Sequence, residues 1–356
     1  MSLQNSYRNL NRLSSLDYLR GLAAFGIMVF HYSMWTYGFA KGGDFIGKIG
    51  IYAVPFFYII SGLTLYHVYY TKIGGPSIKG LKDFAIKRIF RIFPLYWLLG
   101  FATMAIEKSD LSLSSVILNL TGLFGIIHWE NNICYGGWSI GNELVFYLFF
   151  PVFIFLSKRS KISFYIFSLL LLLIYLWFAF IHIDSTKSII DFWIDYMNPL
   201  NQVFLFLGGY LIGFLFSDVH ISKFAGILLA ITTFLVFIFY PVKDDSIHLI
   251  SGINRVAFTL MCLTICFAFY KTDFGLPGLV HKLFATLGEI SYSVYLVHPI
   301  MWYVLTHFLQ HSFSNLPPLA RVLTGITASL FLSLLIYRLF EKYFMRLGAQ
   351  LSAKMA

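Results

Sequence analysis

Charge is what this chain has least of. Of its 356 residues only 16 are Asp or Glu and 26 are Lys or Arg, so 12% are charged while 58% are hydrophobic. A soluble domain carries about 25% charged residues, and a water-exposed globule is therefore excluded. No Pro/Gly/Ser-rich linker, block of like charge or internal repeat divides the sequence, so residues 1–356 read as one domain. Cysteine is scarcer still, with three residues. Cys134 stands alone in a loop, and Cys262 and Cys266 lie four apart in an apolar run, where they read as small core residues and imply no disulfide framework.

The formal net charge of +10 invites a nucleic-acid partner, and the placement of the cations argues against one. Ten apolar segments approach the roughly 20 residues that a bilayer core requires: 16–36, 50–70, 92–107, 138–157, 162–182, 198–217, 222–240, 250–270, 288–309 and 318–340. An even number leaves both termini on one side. With the N-terminus inside, the inner loops hold 18 of the Lys and Arg residues, including Arg8, Arg12 and the run from Lys72 to Arg91. The outer loops hold Lys41, Lys48, Lys108, Lys187, Lys243, Arg255 and Arg321, and Arg20 sits within a span. The positive-inside rule then makes both termini cytoplasmic. The expected fold is all-α, a polytopic membrane helix bundle of about ten transmembrane helices surrounded by lipid.

Three stretches compete with this reading. Ser112 to Trp129 is apolar, but a crossing there would invert every later loop, so it is expected to be an outer interfacial or re-entrant helix. Arg8 and Arg12 before an apolar run, with Gly38-Phe39-Ala40 beyond it, loosely resemble a signal peptide; the run is too long and holds Arg20 and His31. Asn119-Leu120-Thr121 is a glycosylation sequon only in a host that glycosylates.

Ionisable groups within a span are costly and are functional candidates by default. In RGLAAFGIMVFH, Arg20 and His31 are eleven residues apart, which places them on one helix face separated by roughly 16 Å. One small group cannot touch both. Arg20 is either a snorkelling residue paired with Asp17 or a ligand-binding one, and His31 is either a satisfied core histidine or a reactive one. In the second span, PFFYIISG offers Ser61 and Gly62 for close helix approach or a polar contact. KRIFRIFPLYW sets Lys87, Arg88 and Arg91 on one cationic face just before Pro94, which is expected to open the third span. That face suits the phosphates of a cytosolic cofactor, and equally a topology signal or anionic lipid. GGWSIGNELVFY puts Ser139 at an expected N-cap with Glu143 four residues on, flanked by Trp138 and Tyr147 as a shelf for sugar stacking. Glu143 there fits either function or helix capping. SYSVYLVHP aligns Tyr292, Tyr295 and His298 on one side of the ninth span, where aromatic packing is the plain alternative.

These segments, together with the closing YRLFEKYF around Glu341, resemble in order the acyltransferase 3 family of integral membrane acyltransferases, over about residues 14–345. Ile140-Gly141-Asn142 departs from the commoner fourth-span pattern without removing Glu143. The resemblance implies transfer of an acyl group, usually acetyl from acetyl-CoA, to a hydroxyl of an extracytoplasmic or lipid-linked glycan. It also implies residence in the inner (cytoplasmic) membrane, with acetyl-CoA as donor substrate and no permanently bound cofactor or metal. Ending at Ala356, the chain is expected to belong to the branch without a hydrolase-like extension. On this reading Arg20, Arg88 and Arg91 hold the cofactor phosphates, and His31 is the general base. Glu143 orients that base or binds sugar, and Trp138, Ser139, Tyr147, Tyr295 and His298 contact the acceptor. The rival class is a transporter or flippase of lipid-linked glycan, which would also keep Arg and His within the membrane but would be expected to show paired broken helices in matched halves. A catalytically silent scaffold would be expected to lack the Arg20–His31 pair.

Overall fold

The computed structural model of the chain describes residues 13–38, 40–72, 78–107 and 112–355; Arg8, Arg12, Phe39 and Lys108 lie outside them. Among the described residues all regular structure is helical. Ten helices have 17 residues or more: α1 Ser14–Tyr37, α2 Phe45–Tyr69, α3 Ile78–Glu107, α4 Gly137–Arg159, α5 Lys161–Trp177, α6 Pro199–Phe216, α7 Lys223–Phe239, α8 Gly252–Lys271, α9 Gly278–His307 and α10 Pro318–Ile336. Each overlaps one of the ten apolar segments. A further helix, α11, covers Lys342–Met355.

Among the described residues seven helices are long and apolar enough to cross a membrane: α2, α3, α4, α6, α8, and α5 and α10 with their continuations. The apolar helix α7 is shorter. Helices α1 and α9 have the length and fall outside this set, because they carry Asp17, Arg20 and His31 on one and Glu289 and His298 on the other. Ionisable candidates thus sit both on these two helices and on α3 and α4, which pass the test.

Local sequence explains several boundaries. Asn198 accepts from the Leu200 amide and Pro199 occupies the first turn of α6, a position where its missing N–H does no harm. Ser160 and Ser222 cap α5 and α7 in the same manner. Pro94 does not open α3; it sits inside the helix, so Arg88 and Arg91 belong to the same continuous helix as the apolar segment. Membrane helices tolerate such prolines because neighbouring groups re-satisfy the freed carbonyl. The stretch from Ser112 to Trp129 forms two helices, Leu113–Thr121 and Phe124–Ile127. The longer, 9 residues, spans about 14 Å against the roughly 30 Å of a hydrocarbon core, so neither crosses.

Two glycine crossings bring the functional helices together. A Cβ on Gly288 of α9 would lie 2.3 Å from the Asp17 carbonyl oxygen of α1, and Gly21 faces Gly288 in return. A Cβ on Gly209 of α6 would lie 1.9 Å from the Ile59 carbonyl oxygen of α2, opposite Gly62. Small residues permit this backbone approach where the lipid gives no hydrophobic drive between helices. Along α1 and α9 the contacts Gly21–Gly288 and His31–His298 share one sequence offset, 267, so the two helices run parallel. Between α4 and α6, Phe146, Phe150, Phe153, Phe206 and Tyr210 form a buried aromatic core.

Three outer features differ from expectation. Lys48 and Arg255 are not loop residues but lie within α2 and α8, 1% and 3% exposed. Lys48 Nζ donates to the carbonyls of Ile238 and Tyr240 at the end of α7, 2.6 and 2.9 Å away, where the helix leaves its last acceptors free. Arg255 donates to the Asn201 carbonyl and side chain at 2.9 and 2.6 Å and stacks over Tyr175. Asn119 is fully buried: its amide holds the carbonyls of Ser115 and Asn131, and its Oδ1 accepts from Tyr96 and the Ile133 amide. The sequon is therefore a structural bracket, closed to glycan attachment.

Candidate active site

Helices α1, α2, α3, α4 and α9 enclose a cavity of about 430 Å³. Its cationic wall is Arg20 of α1 with Arg88 and Arg91 of α3, and its acidic groups are Asp17, Glu143 and Glu289. The expected pairing of Arg20 with Asp17 is present at 3.4 Å, and a second nitrogen reaches Thr64 Oγ1 at 3.3 Å. Arg88 lies over the Tyr147 ring at 5.9 Å, and its Nε is buried with no hydrogen-bond partner. Arg91 is committed further. It forms an ion pair with Glu341, which is almost fully buried and also accepts from Ser293 at 2.6 Å. A π-helical turn, Tyr337–Glu341, between α10 and α11 turns Glu341 inward, a local widening often found at functional positions.

Glu143 stands in the middle of the cavity, half-buried, and accepts from Ser61 at 3.0 Å and Tyr147 at 2.5 Å. Ser61 thus makes the polar contact while its neighbour Gly62 makes the close helix approach. Ser139 is not the N-cap of α4; Gly136, at φ 72°, takes that place, and a left-handed cap favours glycine. Ser139 instead donates to Tyr295 at 2.7 Å, and Tyr295 donates to the Gly136 carbonyl at 3.1 Å. These two side chains form the top of the cavity, with Phe57 edge-on to Tyr295 at 5.9 Å.

One helical turn above Tyr295 lies a second, aromatic compartment. His31 Nδ1 and His298 Nε2 are 2.8 Å apart, and the His31 ring stacks on Trp35 at 5.2 Å and 11°. Tyr32, behind them, donates to the His298 carbonyl at 2.9 Å, hydrogen-bonds Ser329 and stacks on Trp302. The cavity lining includes neither histidine, and the Tyr295 ring stands 6.2 Å from that of His298.

The structure therefore gathers Arg20, Arg88, Arg91, Glu143, Ser139, Tyr147 and Tyr295 around one space, and His31 with His298 just beyond it. It does not bring Trp138 there: that ring packs against Trp193 and Tyr196, away from the cavity. His298 is 1% exposed with both ring nitrogens engaged, so it offers no open face to an acceptor sugar. Sequence reasoning did not single out Trp35, Ser329 or Ser293. The spacing of four between His31 and Trp35 was the available signal, since such pairs are neighbours on a helix; Ser329 and Ser293 carried none.

A family profile described as an acyltransferase domain matches residues 13–338, which spans every residue of both compartments except Glu341 and Met345. This chain belongs to the acyltransferase 3 family. Among similar proteins are three from Staphylococcus aureus, strains COL, MSSA476 and MRSA252, each named "Putative O-acetyltransferase". Each is 22% identical over 375 residues, covering 96% of this chain. The chain spans 59% of the length of those relatives. No solved structure matches the chain.

Proposed function

We propose that this acyltransferase is a membrane O-acyltransferase, moving an acyl group, acetyl first, from cytosolic acyl-CoA to a hydroxyl of an extracytoplasmic or lipid-linked glycan. The carrying observation is the stacking of two unlike compartments on α1, a cavity walled by three arginines and, one turn above its top, a partly exposed imidazole. The names of the staphylococcal relatives support acetyl as the group. The parallel run of α1 and α9 supports the ten-crossing count, because helices with an odd number of crossings between them, here the seven of α2 to α8, enter from the same face. The distribution of Lys and Arg along the sequence supports placement in the cytoplasmic membrane, with the arginines on the inner side.

In this reading Arg88, Arg20 and the free edge of Arg91 neutralise the donor's phosphates, the guanidinium fork supplying bidentate contacts. About 430 Å³ falls in the lower part of the range of small-molecule sites. It suits the acyl-bearing arm of the coenzyme, with the nucleotide left at the cytosolic mouth. The thioester must pass Tyr295 to meet the acceptor. There His31 removes the hydroxyl proton, the oxygen bonds to the thioester carbonyl carbon, the carbon–sulfur bond breaks, and the thiolate leaves with the coenzyme. Glu143, held by Ser61 and Tyr147, steers the arm through the middle of the cavity.

Replacing His31 with Ala should reduce acetyl transfer by about 10²–10⁴-fold, the usual worth of a general base, while leaving the protein inserted and folded. The measurement is transfer of labelled acetyl from acetyl-CoA in sealed membrane vesicles, alongside the acetyl content of the surface polysaccharide. Undiminished transfer by well-inserted mutant protein would sink the assignment.

A further inference from the structure

Of the two histidines, only one is placed to change its protonation during transfer, and the hydrogen bonds say which. His298 Nδ1 lies 2.9 Å from the Val294 carbonyl. A backbone carbonyl only accepts, so that nitrogen carries hydrogen. Pro299, next in the chain, lacks the amide that would bond the Tyr295 carbonyl, so this edge of the ring faces acceptors and no donor. The opposite nitrogen, Nε2, is then bare in a neutral ring and accepts from His31 Nδ1 at 2.8 Å. A second proton on His298 would place a charge in a site 1% exposed, with no carboxylate among its hydrogen-bond partners. With its hydrogen committed at Nδ1, neutral His31 is left with a bare Nε2, and among the described residues that atom has no hydrogen-bond partner.

We infer that His298 is a positioning residue which locks His31 in the Nδ1–H tautomer, so that Nε2 is the atom that takes the acceptor's proton. The inference rests on His31 being the base in the reading above. The chain of contacts runs from the Val294 carbonyl through His298 Nδ1–H, His298 Nε2 and His31 Nδ1–H to His31 Nε2. It orients a base as the third member of a catalytic triad does, with a carbonyl and an imidazole in the carboxylate's place. Because the orienting partner is neutral, no net charge is buried at rest. During transfer one proton moves from the acceptor hydroxyl to His31 Nε2, and the resulting imidazolium keeps its Nδ1 hydrogen bond to His298. The stacked Trp35 face, 5.2 Å from His31, stabilises that cation.

Two variants separate this role from plain packing. His298→Phe keeps the ring's bulk and removes the acceptor; kcat for acetyl transfer should fall by about 10²-fold or more, with the apparent KM for acetyl-CoA unchanged, since the donor's arginines lie in the other compartment. His298→Gln restores an acceptor oxygen near the position of Nε2 and should recover at least a tenth of the wild-type kcat. The direct readout is solid-state NMR of ¹⁵N-histidine-labelled protein in bilayers, assigned by loss of the His31 signal in His31→Ala. His31 should show Nδ1–H with bare Nε2 in the wild type and in His298→Gln, and a mixture or the Nε2–H form in His298→Phe. Finding Nε2–H at His31 in the wild type overturns the inference, as does a His298→Phe enzyme with normal kcat or a Gln variant no better than Phe. If His31→Ala is itself active, the general-base reading fails instead. The tautomer is measured without turnover, so the two failures are told apart.

Discussion

Two sets of cations within the helices meet very different surroundings. Lys48 and Arg255 are bonded to backbone carbonyls and, for Arg255, the Asn201 side chain, in tightly packed regions away from the large cavity. Arg20, Arg88 and Arg91 face that cavity, share it with Glu143, and in Arg88 leave a buried nitrogen unpartnered. A buried cation that donates to fixed carbonyls of neighbouring helices is part of the scaffold. One that faces a cavity with a donor to spare is, on the proposed reading, where an anion would bind. Sequence position alone does not make this distinction, since Arg20, Lys48 and Arg255 are each a single basic residue in an apolar context.

The sharpest break of the comparison is at Arg91, which belongs to both sets. Arg91→Gln orphans the Glu341 carboxylate and should destabilise the protein by about 3–5 kcal/mol. The additional change Glu341→Gln should recover most of that, as followed by thermal unfolding in detergent. A single Arg91 variant as stable as wild type would mean that the ion pair is dispensable. Next in size is Arg255→Met, which strands the Asn201 carbonyl and should lower stability by about 1–3 kcal/mol while leaving the KM for acetyl-CoA at its wild-type value. A raised KM would move Arg255 into the functional set. The smallest effect is expected at Arg88→Gln. Unfolding should be unaltered, and the apparent KM for acetyl-CoA should rise by a few-fold to tenfold, corresponding to about 0.5–1.5 kcal/mol. Added salt should mimic the change in the wild type, because these contacts are electrostatic and partly solvated. Donor kinetics indifferent to both would leave the cluster to topology or lipid.

Much of the helical layout was readable because it depends on local chemistry. Asn198-Pro199, Ser160 and Ser222 mark their own helix starts, and apolar length did the rest. The errors came where tertiary contacts override local rules. Pro94 looked like a helix opener, yet packing carries the helix through it. Ser139 looked like a cap, but glycine at 136 could adopt the left-handed turn and took the place. Lys48 and Arg255 looked like loop charges because the carbonyls that hold them from neighbouring helices, those of Asn201, Ile238 and Tyr240, lie 54 to 192 residues away in sequence. Within the candidate site, the Arg20–Asp17 pair was visible through its i, i+3 spacing, and the alignment of Tyr292, Tyr295 and His298 through theirs. The joining of His31 to His298 was not, since nothing in either segment encodes the glycine crossing that sets them side by side.

That crossing also imposes an order in time. The partners of the histidine pair are 267 residues apart, and at about 5–20 residues per second of synthesis roughly 15–50 s separate their appearance. Throughout that interval His31 lacks the His298 nitrogen that its Nδ1 meets in the finished fold. The histidine pair forms only when α9 packs alongside through Gly21 and Gly288, and Arg91 meets Glu341 later still. Because α9 also lines the cavity, the pocket and, on the proposed reading, the oriented base are completed together, and only when the last long helices have been made.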